Sequence, residues 1–188
     1  MGTTRTLRAD AERSMRMIMT AAEELFGVNP AATMEQIAEA AGVSRVTVHR
    51  RFASREALVE AMETTAWQEV ADAVEAARPE TAPPAVVLHQ ATANILQIKT
   101  GWRYILARPV PTSEAARAIR EEVTARCERT LARAKEEGLL GPHADIGWAR
   151  QAYLALLAET AHTASRDADP DVLAARVIDT LLHGLAGR

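Results

Sequence analysis

The chain has 188 residues, 48% of them hydrophobic and only 4% aromatic, and a formal net charge of −3. That length buries one substantial core and a small satellite. Long stretches rich in alanine, leucine, glutamate and arginine exclude a sheet protein and predict an all-α one. A small negative sum excludes a chain coated in nucleic acid but leaves room for a local basic patch.

The single cysteine, Cys127, rules out an internal disulfide and suits a reducing compartment. No run approaches the roughly 18 apolar residues of a membrane span. The arginine-dotted N-terminus lacks the apolar core of a signal peptide. The expectation is a cytoplasmic protein with no membrane partner.

Residues 1–9 are polar and carry Arg5 and Arg8. They read either as a frayed tail or as a basic arm touching the DNA backbone or minor groove. A first helix is predicted from Asp10 to Phe26, with Ile18, Ala21, Ala22, Leu25 and Phe26 on one apolar face. Asn29-Pro30 ends that segment. The helix serves as a brace, because two short helices alone bury too little surface to fold.

Met34 to Phe52 reads as two short helices joined by a tight turn. Thr33 caps the first, with Gln36 as the return partner of a capping box. Gly42 stands where that helix must stop, in the left-handed conformation of a C′ residue. Val43 plugs the gap, Ser44 caps the second helix, and Val46, Thr47 and Val48 begin it. Helix, glycine turn and capped helix make a helix-turn-helix, whose second helix enters the DNA major groove. Arg45, Arg50, Arg51 and Arg55 follow with no acid before Glu56, a phosphate-seeking surface.

Ser54 caps a long helix through Leu58, Val59, Met62, Ala66, Val70, Ala73 and Ala77. Arg78-Pro79 ends it and Pro83-Pro84 mark a linker. This helix is a mechanical connector from the DNA module into the second half. Beyond the linker, Ala85 to Thr100 forms an apolar helix, Gly101 interrupts, and Trp102 to Arg108 makes a short helix closed by Pro109 and Pro111. Ser113 caps the next, with Ile119, Val123, Cys127 and Leu131 inward. Arg117, Glu121, Glu122, Arg126, Arg129 and Arg133 form its solvated, ion-paired face. Gly138 and Gly141-Pro142 end it.

Asp145 to Ser165 is apolar nearly all round, so burial on more than one side is expected. Asp169-Pro170 starts the last helix, whose stripe is Leu173, Val177, Ile178, Leu181, Leu182 and Leu185. One monomer has difficulty covering both surfaces, and pairing these two helices with their copies covers them. The fold expected is therefore all-α, with about nine helices. Residues 1–53 form a three-helix DNA-binding head, and 54–188 a larger helical body for ligand binding and dimerisation.

The order of brace, helix-turn-helix, connector and helical body resembles the tetracycline-repressor (TetR) family of transcriptional regulators. The match lies between Arg13 and Met62. It rests on Ile18-x-x-Ala21-Ala22-x-x-Leu25-Phe26, Ile37-Ala38-x-x-Ala41-Gly42-Val43-Ser44, Thr47-x-x-x-x-Phe52 and Ser54-x-Glu56-Ala57-Leu58. Past residue 80 only the helix count and size agree. The resemblance implies a homodimer with each head reading half of a palindromic operator in double-stranded DNA. It also implies a cavity for a small-molecule effector, relaying its occupancy through the connector helix. His49 stands where the family usually has tyrosine, and Arg51 where it has histidine. The Phe26–Thr33 connection is shorter than usual and lacks the common glycine-aromatic pair.

Within the head, Arg45 is the leading base reader, since its fork matches guanine O6 and N7. Val46 and Thr47 offer methyl contact or a hydroxyl. Thr33, His49, Arg50 and Arg55 are phosphate candidates, and Ser44 and Arg51 complete the DNA-binding set. Helix capping alone accounts equally for Thr33, Ser44 and Ser54, and packing accounts for Val43, Val48 and Phe52.

Within the body, the cavity candidates are Trp67, His89, Asn94, Trp102, Tyr104, Trp148, Tyr153 and His162. Trp102 and Tyr104, beside the Gly101 break, come first, and each candidate has an alternative as ordinary core or a hydrogen-bonded group. No H-E-x-x-H, G-x-S-x-G or phosphate-binding glycine loop is present, and the histidines lack metal-ligand spacing. No enzyme, cofactor or metal site is expected. The function expected is a homodimeric repressor released from DNA by a small molecule. The alternative is a helical adaptor or ligand-binding protein with a vestigial head.

Overall fold

The computed structural model describes residues 2–99, 101–165 and 167–184, with side chains for all of these except 2–9 and 99. The described residues form nine α-helices and no strand. In chain order these are α1 (Gly2–Val28), α2 (Met34–Ala40), α3 (Arg45–Arg51), α4 (Arg55–Ala76), α5 (Pro84–Lys99), α6 (Arg103–Leu106), α7 (Glu114–Glu136), α8 (Ile146–Thr163) and α9 (Pro170–His183).

The backbone of residues 2–9 continues α1 instead of forming a separate arm. Neither proline nor glycine lies between Thr3 and Phe26 to stop it. The Arg5 and Arg8 side chains and Leu185 lie outside what is described.

The helix ends follow local chemistry. Thr33 Oγ1 accepts from the Gln36 N–H at 3.3 Å while Gln36 Oε1 accepts from the Thr33 N–H at 2.9 Å, closing the capping box. Gly42 takes φ +65, and the Val43 N–H reaches the Ala38 carbonyl at 3.0 Å, the paired bonds of a Schellman end. Ser44, Ser54, Ser113, Asp145 and Asp169 cap α3, α4, α7, α8 and α9 in turn. At the end of α4 the left-handed position falls on Arg78, at φ 53, instead of on a glycine.

Two cores share one helix. The first gathers Ile18, Ala22, Phe26, Ile37, Val48 and Phe52 from α1–α3 with Leu58, Val59, Met62 and Ala66 of α4 and, from α6, Ile105. The second gathers Val70 and Val74 of α4 with Val87, Leu88, Ile95, Leu131, Tyr153, Leu157, Val177 and Ile178. In the body, α5 packs along α9 and α4 along α7, while α6 touches both α1 and α4. The face of α7 expected to be solvated is partly taken up by these neighbours. Arg126 bonds Glu75 of α4, and Arg133 donates to the carbonyls of Pro79 and Ala82 in the linker. Nor is α8 covered all round: Ala149, Tyr153 and Leu157 are buried, but Trp148 is 69% exposed. No helix among the described residues is long and apolar enough to cross a membrane.

Candidate nucleic-acid interface and effector cavity

Val48 is the inward residue of α3, fully buried, and it anchors the helix on the head core. That orientation turns Arg45, Val46, His49 and Arg50 outward. Val46 is 74% exposed, an apolar side chain with no partner in the head. Ser44 Oγ accepts from the Thr47 N–H at 3.1 Å and shares a hydroxyl bond of 2.9 Å with Thr47. Arg45, His49 and Arg50 make no hydrogen bond or ion pair among the described residues. The Glu35 carboxyl, at the start of α2, is held below the usual range by its own backbone N–H and the Thr33 hydroxyl, with Arg45 and His49 adding to the effect.

Arg51 and Arg55 are engaged inside the head. Arg51 Nε donates to Ser14 Oγ of α1 at 3.3 Å. The Arg55 guanidinium lies 4.5 Å from the centre of the Phe26 ring and donates to the Pro30 carbonyl. Both carry the positive charge expected of a phosphate contact. Their geometry adds a brace between α3 and α1, and a clamp on the shortened α1–α2 connection.

A cavity of about 320 Å3 opens in the body between α4, α5, α7 and α8, with the segment Leu106–Pro109 closing one side. Its walls are chiefly apolar: Trp67, Val70, Val74, Leu88, Ile95 and Leu157 among them. Of the residues named from sequence, Trp67 and Tyr153 line it and the others do not. Trp102 turns its indole N–H to Glu69 at 2.7 Å, and the Tyr104 ring packs 5.4 Å from Phe26 in the head core. The break at Gly101 thus delivers both aromatics to the head, not to a void. His89 sits 3.3 Å from Asp171 on the α5–α9 face, Asn94 donates to the Ala73 carbonyl at 3.0 Å, and Trp148 and His162 point to solvent.

The buried hydroxyls of Thr92 and Tyr153 beside the cavity are satisfied. Thr92 donates to the Leu88 carbonyl at 2.6 Å and pairs with Tyr153 Oη at 2.9 Å. Burial pushes the Tyr153 hydroxyl well above its ordinary range and the Cys127 thiol up to about 12, so both stay neutral at pH 7.

Two carboxylates that escaped the sequence reading fix the segment around α6, one from α4 and one from the head. Glu63 of α4, 1% exposed, accepts from Arg108 Nε at 3.0 Å, from the Thr112 N–H at 2.8 Å and hydroxyl at 2.9 Å, and from the Ser113 N–H at 2.9 Å. Glu23 of α1 accepts the Tyr104 and Ile105 N–H groups, capping α6 from another helix. Burial raises its pKa, and those two backbone bonds pull the other way. A signal existed for both: Met19, Glu23, Phe26 and Val59, Glu63, Ala66 place an acid at apolar helical spacing.

Residues 18–62 match the profile of the bacterial regulatory proteins of the tetR family. Over 178 residues the chain is 28% identical to the HTH-type transcriptional repressor LfrR of Mycolicibacterium smegmatis, spanning 93% of this chain and 89% of that one. The TetR family regulator PfmR from Thermus thermophilus superposes with a TM-score of 0.77 at 20% identity, over 90% of this chain and 99% of that one. LfrR from Mycobacterium smegmatis, in complex with proflavine, superposes with a TM-score of 0.69 at 24% identity, over 94% and 99% of the two chains. The capped helix-turn-helix on its brace carries the tetR-family profile, and the helical body joined through α4 shares the fold of tetR-family regulators.

Proposed function

We propose that the protein is a cytoplasmic, homodimeric repressor that binds a palindromic operator and leaves it when a small molecule enters the body. It has a DNA-reading head of residues 1–53 and a body of 54–188. The observation that carries this reading is the outer face of α3, where Arg45, Val46, His49 and Arg50 stand in solvent with no hydrogen bond or ion pair among the described residues. Along the chain no acid lies between Glu39 and Glu56. Arg45 reads a base edge. Val46 and Thr47 offer it a methyl contact or a hydroxyl, and Thr33, His49 and Arg50 position the phosphates with Ser44 beside them. Arg51 braces α3 on α1 while Arg55 clamps the α1–α2 connection, both adding positive charge.

The exposed apolar residues Trp148 and Leu154 of α8 and Val172 of α9 support dimer formation through those helices. Two heads then sit roughly one helical turn apart, about 34–36 Å, to reach both half-sites. The relay suggested for α4 gains a second member. Leu106, Ala107, Arg108 and Pro109 border the cavity, while Tyr104 and Ile105, in the same short stretch, lie in the head core. An effector that moves Leu106–Pro109 therefore moves a piece of the head, and couplings of this kind are about 1–3 kcal/mol and reciprocal.

Selection of genomic fragments with the purified protein is the test. A repressor recovers a palindrome that it binds specifically at moderate salt, and an adaptor with an unused head recovers none. Arg45→Ala is expected to relax specificity by about 1–3 kcal/mol at one base position. Equal losses on the operator and on random DNA would remove its reader role.

A further inference from the structure

The charge on the cavity wall has one sign. Four guanidinium groups, Arg108, Arg120, Arg126 and Arg150, line it, with no aspartate, glutamate or lysine among the lining residues. Three of the four are compensated from outside the lining. Arg108 meets Glu63 at 3.0 Å, Arg126 bonds Glu75 and Glu122, and Arg150 lies 2.8 Å from Glu128. Arg120 differs. Among the described residues no carboxylate comes within ion-pair distance of it. Its Nη1 donates to the Pro109 carbonyl at 2.7 Å, and its guanidinium carbon lies 5.8 Å from the centre of the Trp67 ring.

The uncharged polar groups do not alter this balance. Thr92 spends its proton on the Leu88 carbonyl, so Tyr153 donates to Thr92. Thr124 and Thr130 donate to carbonyls of their own helix. What the cavity offers a guest is apolar surface and guanidinium N–H groups. A half-buried guanidinium without a counter-charge is poorly solvated, and a carboxylate fits its fork with two parallel bonds.

We infer that the effector is an amphipathic anion, an apolar body ending in one carboxylate, with the carboxylate on Arg120 and the tail among Trp67, Leu88, Ile95 and Leu157. This rests on the reading of the body as an effector domain and adds the chemical class of the guest. A cationic guest would meet the uncompensated Arg120 and no acid among the lining residues. The same contact has a second effect. A carboxylate that takes Arg120 from the Pro109 carbonyl unties the stretch following α6, so the residue that selects the anion also registers its arrival.

Three probes sharing one tail and differing in head group, decanoate, 1-decanol and decylammonium, test this by isothermal titration of the full-length protein. Decanoate is expected to bind about tenfold to a hundredfold more tightly than either of the others, the range of a charge-assisted hydrogen bond. Arg120→Gln is expected to erase that preference while leaving decanol binding unchanged, and Arg117→Gln, exposed on the same helix, to leave all three as they are. Decanoate that fails to bind, or that binds no better than decanol or decylammonium, overturns the inference. So does a preference that survives Arg120→Gln. Specific DNA binding is measured on the same protein before any probe is added, so failure of the repressor reading and failure of this one appear in separate measurements.

Discussion

Head and body solve the packing problem in opposite ways. In the head, Ile18, Phe26, Ile37, Val48, Leu58 and Met62 are all under 2% exposed, and helices as short as α2 and α3 are held on every inner face. In the body, larger helices leave about 320 Å3 unfilled and set four arginines around it. Close packing forbids adjustable shape, because each vacated methylene costs both transfer free energy and a void. A reading surface must keep one geometry, and an effector domain must tolerate at least two. The junction between them, α4 with α6, has to be stiff enough to transmit and polar enough to register. Buried carboxylates at Glu23 and Glu63 meet both needs.

Substitutions at the junction and on either side of it break or sharpen this contrast. The largest effect is expected from Glu63→Ala, which strips Arg108, Thr112 and Ser113 of their shared acceptor. Removing one partner of a buried ion pair costs about 3–5 kcal/mol, read as a fall in Tm. A change under about 1 kcal/mol, the scale of a single ordinary hydrogen bond, would mean that the α6–α7 segment is not anchored there. Within the head, Arg55→Ala removes the stack on Phe26 and the bond to Pro30. A loss of about 1–2 kcal/mol follows, visible by chemical denaturation even without DNA; unchanged stability would return Arg55 to a purely phosphate-facing role.

At the body end of α4, Arg78→Gly is expected to stabilise by about 0.5 kcal/mol, because glycine takes the positive φ of 53 without strain. A lower Tm for that variant would show that the Arg78 side chain contributes more than its backbone costs.

The pKa of Glu23 is raised above its ordinary value of 4.5, burial outweighing the bonds to Tyr104 and Ile105. Its stabilising contribution is thus fully present below pH 4.5 and lost as pH rises through the elevated value. Glu23→Gln cannot ionise, so the stability of the wild type relative to this variant is expected to decline from acid toward neutral pH. A relative gain over the same interval would show that the two backbone bonds dominate.

What could be read beforehand follows the range over which each signal acts. Thr33 with Gln36, Ala38 with Val43 across Gly42, and Ser44 with Thr47 all act within five residues, and these caps stand where the sequence placed them. The cavity draws on side chains from Trp67 to Ala158, and no local period reveals which flank of a helix faces which neighbour. Aromatic content was therefore a poor guide to its lining. Trp102 and Tyr104 went to the head, while arginines expected in solvent, such as Arg126, turned to the cavity. Burial of Glu63 at Val59–Ala66 spacing was legible in retrospect as an acid on an apolar stripe. Its partners, about fifty residues onward, were not.

Ile105 is the one residue of α6 that is fully enclosed, and the core enclosing it is that of the head. A chain emerging from synthesis therefore reaches α3 with its first core still missing a piece. Leu58, Val59, Met62 and Ala66 arrive with α4, and Ile105 only after α5 has been made. The DNA-reading surface is thus among the first parts to be translated and among the later ones to be completed. A chain that ends before α6 lacks Ile105 and so leaves that core unfinished.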